Sequence, residues 1–411
     1  MWIVLAWTGA LAVSLVALKY SAVPYLWIFL AGATALFVTA AKDRRRRALW
    51  FNLACLSGGL GIFEAYLWAW SGAAYSTGRI EQGTAAERVY APHDQLGWAP
   101  VAATTATEKW WFDGEVIFDA TYTIGANGLR ISSPASDDAP MSPCVLFFGC
   151  SFTFGQGLED HETLPFQVQE KSGQRYRTYN FGVSGYGPHQ MLAALQHDLV
   201  DDVIPCDPAQ VSHVFYQGIT DHVGRSAGQL WSEAPGPRYA LSPGGGVTLI
   251  GRLEDKGDER TLAQMFVTQI TKSLIYKAAI EGRFVHNYSR HDIELYLRIV
   301  DEARRTARKE FPAAEFHVLW WDEDNLDNRT IRQGIRQRGI TVHLMSDILP
   351  NYPTDAPSMG YRLHRYDAHP SALANALIAD YLVDEVLPQA SAFDQTPMAP
   401  DARPAAPPPR S

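Results

Sequence analysis

The stretch CVLFFGCSFTFGQG, residues 144–157, decides how this 411-residue chain is read. Its first six residues are apolar or glycine without a break, the pattern of a short strand buried on both faces of a parallel sheet. Ser151 follows where the chain can turn into a helix. In parallel α/β sheets ligands collect at the carboxyl ends of strands, so a hydroxyl here stands where a nucleophile is useful. It stays inert unless a base takes its proton and donors hold the oxyanion. Without such partners Ser151 is simply a helix cap.

Working outward, RTYNFG (177–182) and SHVFYQG (212–218) read as further buried strands, with helices at 164–171 and 189–199. After an insertion come helical stretches at 261–279 and 291–310, a strand EFHVLWW (315–321), a helix at 328–337, a strand ITVHLM (340–345) and a closing helix at 371–387. Strands alternating with helices predict an α/β fold, a doubly wound parallel sheet covered on both faces, over residues 143–389. Residues 71–142 predict a small β-rich lead-in, with alternation at 115–124 and an Asn127-Gly128 turn. Within the insertion, residues 237–253 predict a hairpin around Gly244–Gly246, expected over the rim where substrates enter. Residues 390–411 are Pro/Ala-rich and predict a disordered tail.

Partners for Ser151 exist far along the chain. In RYDAHPS, residues 365–371, Asp367 stands two residues before His369, with Pro370 as a candidate first residue of the closing helix. An acid so placed can hold Nδ1 of the imidazole and leave Nε2 facing the serine.

These blocks resemble the SGNH/GDSL hydrolase superfamily. GCSFTFG (149–155) is similar to its first block, NFGVSGYG (180–187) to the second, GITDH (218–222) to the third and DAHPS (367–371) to the last. The resemblance implies a serine esterase with Ser151 as nucleophile, His369 as base and Asp367 as its orienting acid. It also implies an oxyanion hole from the N–H groups of Ser151 and Gly185. Two positions depart from the pattern: Cys150 replaces the usual Asp before the serine, and Thr220 replaces the oxyanion-hole Asn. Thr220, His222 and Asn180 are the candidates for the third donor, while His222 and Arg225 are candidate contacts for an anionic or sugar substrate. Arg130, in the lead-in, reads as a salt-bridge residue.

The first seventy residues are of another composition. Apolar stretches at 2–18, 25–41 and 49–70 each approach or meet the ~17–25 residues a membrane span needs, which predicts three transmembrane helices. The cluster Arg44–Arg47 belongs on the cytoplasmic side, so the chain after Trp70 is expected beyond the bacterial inner membrane, in the periplasm. Glu64, within the third stretch, is expected to reach the outer interface, a structural rather than a proton-carrying role.

With 47% hydrophobic and 19% charged residues the chain has ample material for a packed core. A net charge of −9 excludes the basic surface that nucleic acid requires. Four cysteines without a CxxC pair or zinc-type Cys/His spacing predict no structural metal site, and no cofactor is expected. Cys144 and Cys150 would bracket one strand ~20 Å apart, whereas Cys144 and Cys206 both precede strands at one end of the sheet. A Cys144–Cys206 disulfide is therefore expected, with Cys150 free. The sequence as a whole predicts an esterase of an acylated envelope carbohydrate or lipid. Its alternatives are an O-acyltransferase fed by a membrane acyl-donor partner, and an inactive binding domain.

Overall fold

The computed structural model describes residues 1–21, 24–70, 81–82, 89–112, 114–132, 143–229, 235–255, 273–279, 288–353 and 358–387. Expectations for the tail and for residues 71–80 and 261–272 lie outside these. At its centre is a five-stranded sheet, numbered in chain order β1 (Cys144–Gly149), β2 (Arg177–Gly182), β3 (Val211–Gly218), β4 (Glu315–Trp320) and β5 (Thr341–Leu344). The spatial order is β5-β4-β3-β1-β2 and every pairing is parallel. The chain moves out from β1 to β2, then returns past it to β3, so the winding reverses beside β1. That is where an open α/β sheet forms its crevice.

Alternation along β1 shows why both faces must be covered. Cys144, Leu146 and Phe148 join one core with the helices Pro188–Gln196, Arg290–Glu310 and Leu326–Gln337. Val145 and Phe147 join the other with Leu164–Lys171 and Ala372–Tyr381. The strand is buried at every residue, so its sequence shows no polar alternation. Cys144 and Cys206 form a disulfide with Cα atoms 6.7 Å apart, and Cys150 is a buried free thiol.

The helix Arg290–Glu310 ends with a carboxyl in an acidic neighbourhood. Burial, then Asp201 and Asp198, push the Glu310 pKa up to about 8. Between an unfolded value of ~4.3 and that value the unfolded chain releases a proton the folded chain keeps. Glu310's contribution is thus complete below the unfolded value and is lost as pH rises towards 8. Glu310→Gln is expected to melt at higher temperature than wild type at pH 8 and to match it at pH 4, a comparison made by thermal denaturation.

Two antiparallel hairpins precede the sheet: Tyr90–His93 with Gly97–Pro100, and Thr104–Phe112 with Glu115–Ile124. The hairpin Pro237–Leu241/Val247–Arg252 forms at the glycines, but it does not overlie the rim. Tyr239 is buried in the core with the helices, its hydroxyl donates to Gln196 at 2.7 Å, and Gly245 accepts from Arg298 of the long helix. Its apolar anchors draw it to the helical layer.

At the N-terminus lie the helices Trp2–Tyr20, Pro24–Lys42 and Arg47–Trp70. The second and third are long and apolar enough to cross a membrane, whereas Trp2–Leu18 is a shorter apolar helix. Glu64 does not reach towards water. It is 1% exposed and accepts from Ser273 Oγ and from the N–H groups of Leu274 and Ile275 at 2.6–3.0 Å, joining the third helix to the insertion. Free N–H groups at the start of a helix attract a carboxylate more strongly than a distant interface does.

Candidate active site

β1 ends at Gly149, Cys150 takes the N-cap position, and Ser151 opens the four-residue helix Ser151–Phe154. Gly155 stops it in the left-handed conformation (φ +80°), and a Cβ there would collide with Thr163. The turn is held from three sides. Thr153 Oγ1 donates to Gln217 on β3 at 2.7 Å, and Asn180 on β2 donates to the Thr153 carbonyl at 3.1 Å. Arg130 donates to the carbonyls of Phe154, Gly155 and Leu158 at 2.6–2.8 Å and to Asp160 at 2.9 Å. Asn180, whose oxygen also accepts from Gly182 N, is thereby a strut under the turn that carries Ser151 and is not among the cavity-lining residues.

Asp367 and His369 lie two apart on the strand Asp367–Pro370, so they project from one face. That strand pairs with Arg362–His364, and Ser371, not Pro370, starts the closing helix by accepting from Ala374 N. His369 Nδ1 is 2.6 Å from Asp367 Oδ1, which also accepts from His369 N at 2.8 Å. His369 Nε2 is 2.8 Å from Ser151 Oγ, across 218 residues of sequence. Burial alone would raise the Asp367 pKa, but the hydrogen bond and charge of His369 outweigh it and hold the carboxyl below its ordinary value. Nδ1 therefore carries a hydrogen towards the carboxylate, and Nε2 faces the serine hydroxyl.

These side chains line a cavity of about 440 Å³ together with Thr220, Arg225, Glu323, Arg362 and the aromatic rings of Trp110, Tyr288, Trp321, Tyr352 and Tyr366. Burial first and Asp221 second raise the Glu323 pKa. Thr220 is fixed from behind: Asn328 Nδ2 donates to its hydroxyl oxygen at 2.7 Å, and Asn328 Oδ1 accepts from Trp320 Nε1 at 2.7 Å. Among the described residues the Thr220 hydroxyl accepts this one bond, and Thr220 lines the cavity. Asn328 had one signal in the sequence, a place in the first helical turn after a strand, where a parallel sheet brings residues to its rim.

Two other candidates lie elsewhere. His222, expected at the substrate, is fully buried with Nδ1 2.5 Å from the Tyr216 hydroxyl, and burial and then Arg225 depress its pKa strongly. The short helix Asp221–Ser226 turns Arg225 outward to the cavity and His222 inward. Gly185 (φ +87°) sits in the turn after β2, beneath the Trp98 ring, and is not among the cavity-lining residues. That turn is clamped by the lead-in: Trp98 Nε1 donates to the Ser184 carbonyl and the Tyr90 hydroxyl to Ser184 Oγ, both at 3.1 Å. Cys150 is also absent from the cavity lining. Arg225 Nη1 donates to the Tyr186 carbonyl at 2.8 Å.

No family model matches the chain, and no curated protein does. Its structural neighbours include SGNH/GDSL esterases and lipases. Among them are an acetyl xylan esterase from Butyrivibrio proteoclasticus (13% identity, 63% of this chain and 67% of that one, TM-score 0.35) and the esterase EstA from Pseudoalteromonas (11%, 60% and 98%, 0.34). A GDSL-like lipase from Bacteroides thetaiotaomicron is a third (10%, 61% and 90%, 0.31). At these values they are likenesses alone.

Proposed function

We propose that the chain is a membrane-anchored serine esterase that removes acyl groups from an O-acylated glycan on the periplasmic side of the inner membrane. The observation that carries this reading is the unbroken relay from Asp367 through His369 to Ser151 Oγ at 2.6 and 2.8 Å on the wall of an open cavity. His369 Nε2 takes the serine proton as Oγ attacks the ester carbonyl. Asp367 stabilises the imidazolium, which then protonates the leaving alcohol. Water, activated by the same Nε2, releases the acid and restores the serine.

The oxyanion in this proposal is held by the N–H of Ser151 and by the hydroxyl of Thr220. Aromatic faces with two arginines and the acids Asp221 and Glu323 around the cavity suit a polyhydroxylated substrate better than a bare lipid chain. In this reading the three N-terminal helices each pass the membrane with Arg44–Arg47 inside, which leaves the esterase outside; the Cys144–Cys206 bond, of the kind an oxidising compartment allows, supports it. The link from Glu64, six residues before Trp70, to Ser273 keeps the insertion near the outer end of the third helix.

The test is incubation of the full chain in detergent with O-acetylated glycans and a fluorophosphonate probe. Release of acetate with labelling of Ser151 supports the proposal. Acetylation of an added glycan by an acyl donor without acetate release replaces it with transfer, and binding without labelling replaces it with a scaffold role. Loss of one oxyanion donor costs ~100–1000-fold elsewhere. Thr220→Val is accordingly expected to lower kcat by roughly 100-fold with KM little changed, while Thr220→Ser keeps most activity, as steady-state ester hydrolysis would report.

A further inference from the structure

The end of the sheet opposite Ser151 brings together groups that the sequence keeps about a hundred residues apart. His213, on β3, pairs in register with Glu315 on β4, and His317 follows two residues later on the same face. One ring nitrogen of each histidine and a Glu315 carboxylate oxygen lie within 4.8 Å of one another. We propose that these three side chains form a binding site for a divalent ion of the zinc type, pinning β3 to β4.

Hydrogen-bond directions argue for it. Ser212 Oγ donates to the Cys144 carbonyl at 3.2 Å, so the contact between Ser212 Oγ and His213 Nδ1 at 3.1 Å must be a donation from the ring. His213 Nε2 is then a bare lone pair, the form a metal takes. His317 engages Nδ1 with His343 Nε2 at 3.0 Å, and His343 Nδ1 in turn meets the Tyr381 hydroxyl at 2.8 Å. This leaves His317 Nε2, in a side chain only 6% exposed, with no hydrogen-bond partner among the described residues.

That orphaned nitrogen is 3.6 Å from Glu315 Oε2. The separation is too long for a hydrogen bond. It is close to the roughly 3.4 Å between two ligands of a tetrahedral ion with bonds of about 2.1 Å. With His317 donating from Nδ1 to His343, the buried Nε2 and the carboxylate face one another as two electron-pair donors, which a cation satisfies. Ser212 and the His343–Tyr381 pair then act as the outer partners that fix ring orientation in metal sites. Glu315 is 60% exposed, which gives the ion an entry path and leaves a fourth position for water. Five residues of β3 separate His213 from the rim, ~17 Å, so the ion is structural and not part of the ester chemistry. Cysteine spacing could not reveal it, because strand pairing assembles it from two histidines and a glutamate.

The experiment uses the untagged full chain in detergent, stripped with a chelator, equilibrated with Zn²⁺ and desalted, with metal measured by elemental analysis and Co²⁺ substitution read in the visible spectrum. One Zn²⁺ per chain and intense tetrahedral Co²⁺ bands are expected. Glu315→Gln, a change at an exposed residue that the fold tolerates, is expected to weaken Zn²⁺ binding by on the order of 100-fold with ester hydrolysis unchanged, and His213→Phe to abolish binding. A wild-type chain that retains no stoichiometric Zn²⁺, or a Glu315→Gln chain that binds it as tightly as wild type, overturns the proposal.

Discussion

Ser151→Ala is expected to reduce ester hydrolysis by at least roughly 10⁴-fold, through kcat, and to abolish fluorophosphonate labelling. The acyl-enzyme needs an oxygen nucleophile at this atom, and the only hydrogen bond described for Oγ is the one to His369 Nε2 at 2.8 Å. Removing it takes away the chemistry while leaving the turn's other supports, Thr153, Asn180 and Arg130, in place. Binding and oxyanion donors alone leave a residual acceleration of ~10³–10⁴ over water, which sets the floor of the variant. His369→Ala is expected to fall to the same level, and the double variant no further, because members of a relay act as one unit. Cys150→Ser is the control: its thiol is buried and outside the cavity, so the variant keeps the activity if the serine is the nucleophile. Substantial hydrolysis by Ser151→Ala together with its loss in Cys150→Ser would transfer the role to the thiol.

Much of the sheet is legible in the sequence because its strands are short, unbroken apolar runs that end at glycine or turn residues. Val145 to Phe148 could hardly be anything but a strand buried on both faces. The acid and histidine of the last block were readable for a related reason, since two residues apart on a strand places both on one face. What the sequence hides is direction. Asp221–Ser226 is too short to show which of His222 and Arg225 points inward, and only packing against Tyr216 decides it. The hairpin at Pro237–Leu241 carries its turn signal openly, but its docking on the helical layer depends on Tyr239 meeting Gln196 and Gly245 meeting Arg298, 43 and 53 residues apart in sequence. Asn328 behind Thr220, and Glu315 beside His213, are products of strand and helix register that no local pattern encodes.

Arg130 shows how far one buried charge can organise a site, and Arg130→Met is expected to destabilise the chain by about 3–5 kcal/mol, the cost of removing one partner from a buried ion pair. Its side chain is fully buried, stacked within 5 Å of Tyr122 and Phe154, and it answers four carbonyls, those of Thr121, Phe154, Gly155 and Leu158, and the Asp160 carboxylate. Two of those carbonyls belong to Phe154 and Gly155, the end of the helix that carries Ser151, whose last C=O groups have no partner within so short a helix. Without the guanidinium, Asp160 is left with its bond from Thr123 N but no cation, and the segment after Ser151 is tied to the lead-in strand Glu115–Ile124 by the bonds of Thr121, Tyr122 and Thr123 without that charge. Arg130→Lys is expected to recover little, since an ammonium on a flexible stem cannot address five acceptors arranged around a planar fork. Arg130→Met with Asp160→Asn should lose less than Arg130→Met alone, because the stranded carboxylate is removed with its partner. Thermal denaturation of the four chains, with ester hydrolysis followed in parallel, separates the two consequences. A structural anchor loses stability first and keeps its residual activity per folded molecule, whereas a support of the catalytic turn loses kcat even where the chain is fully folded, and the bonds to Phe154 and Gly155 point to the second.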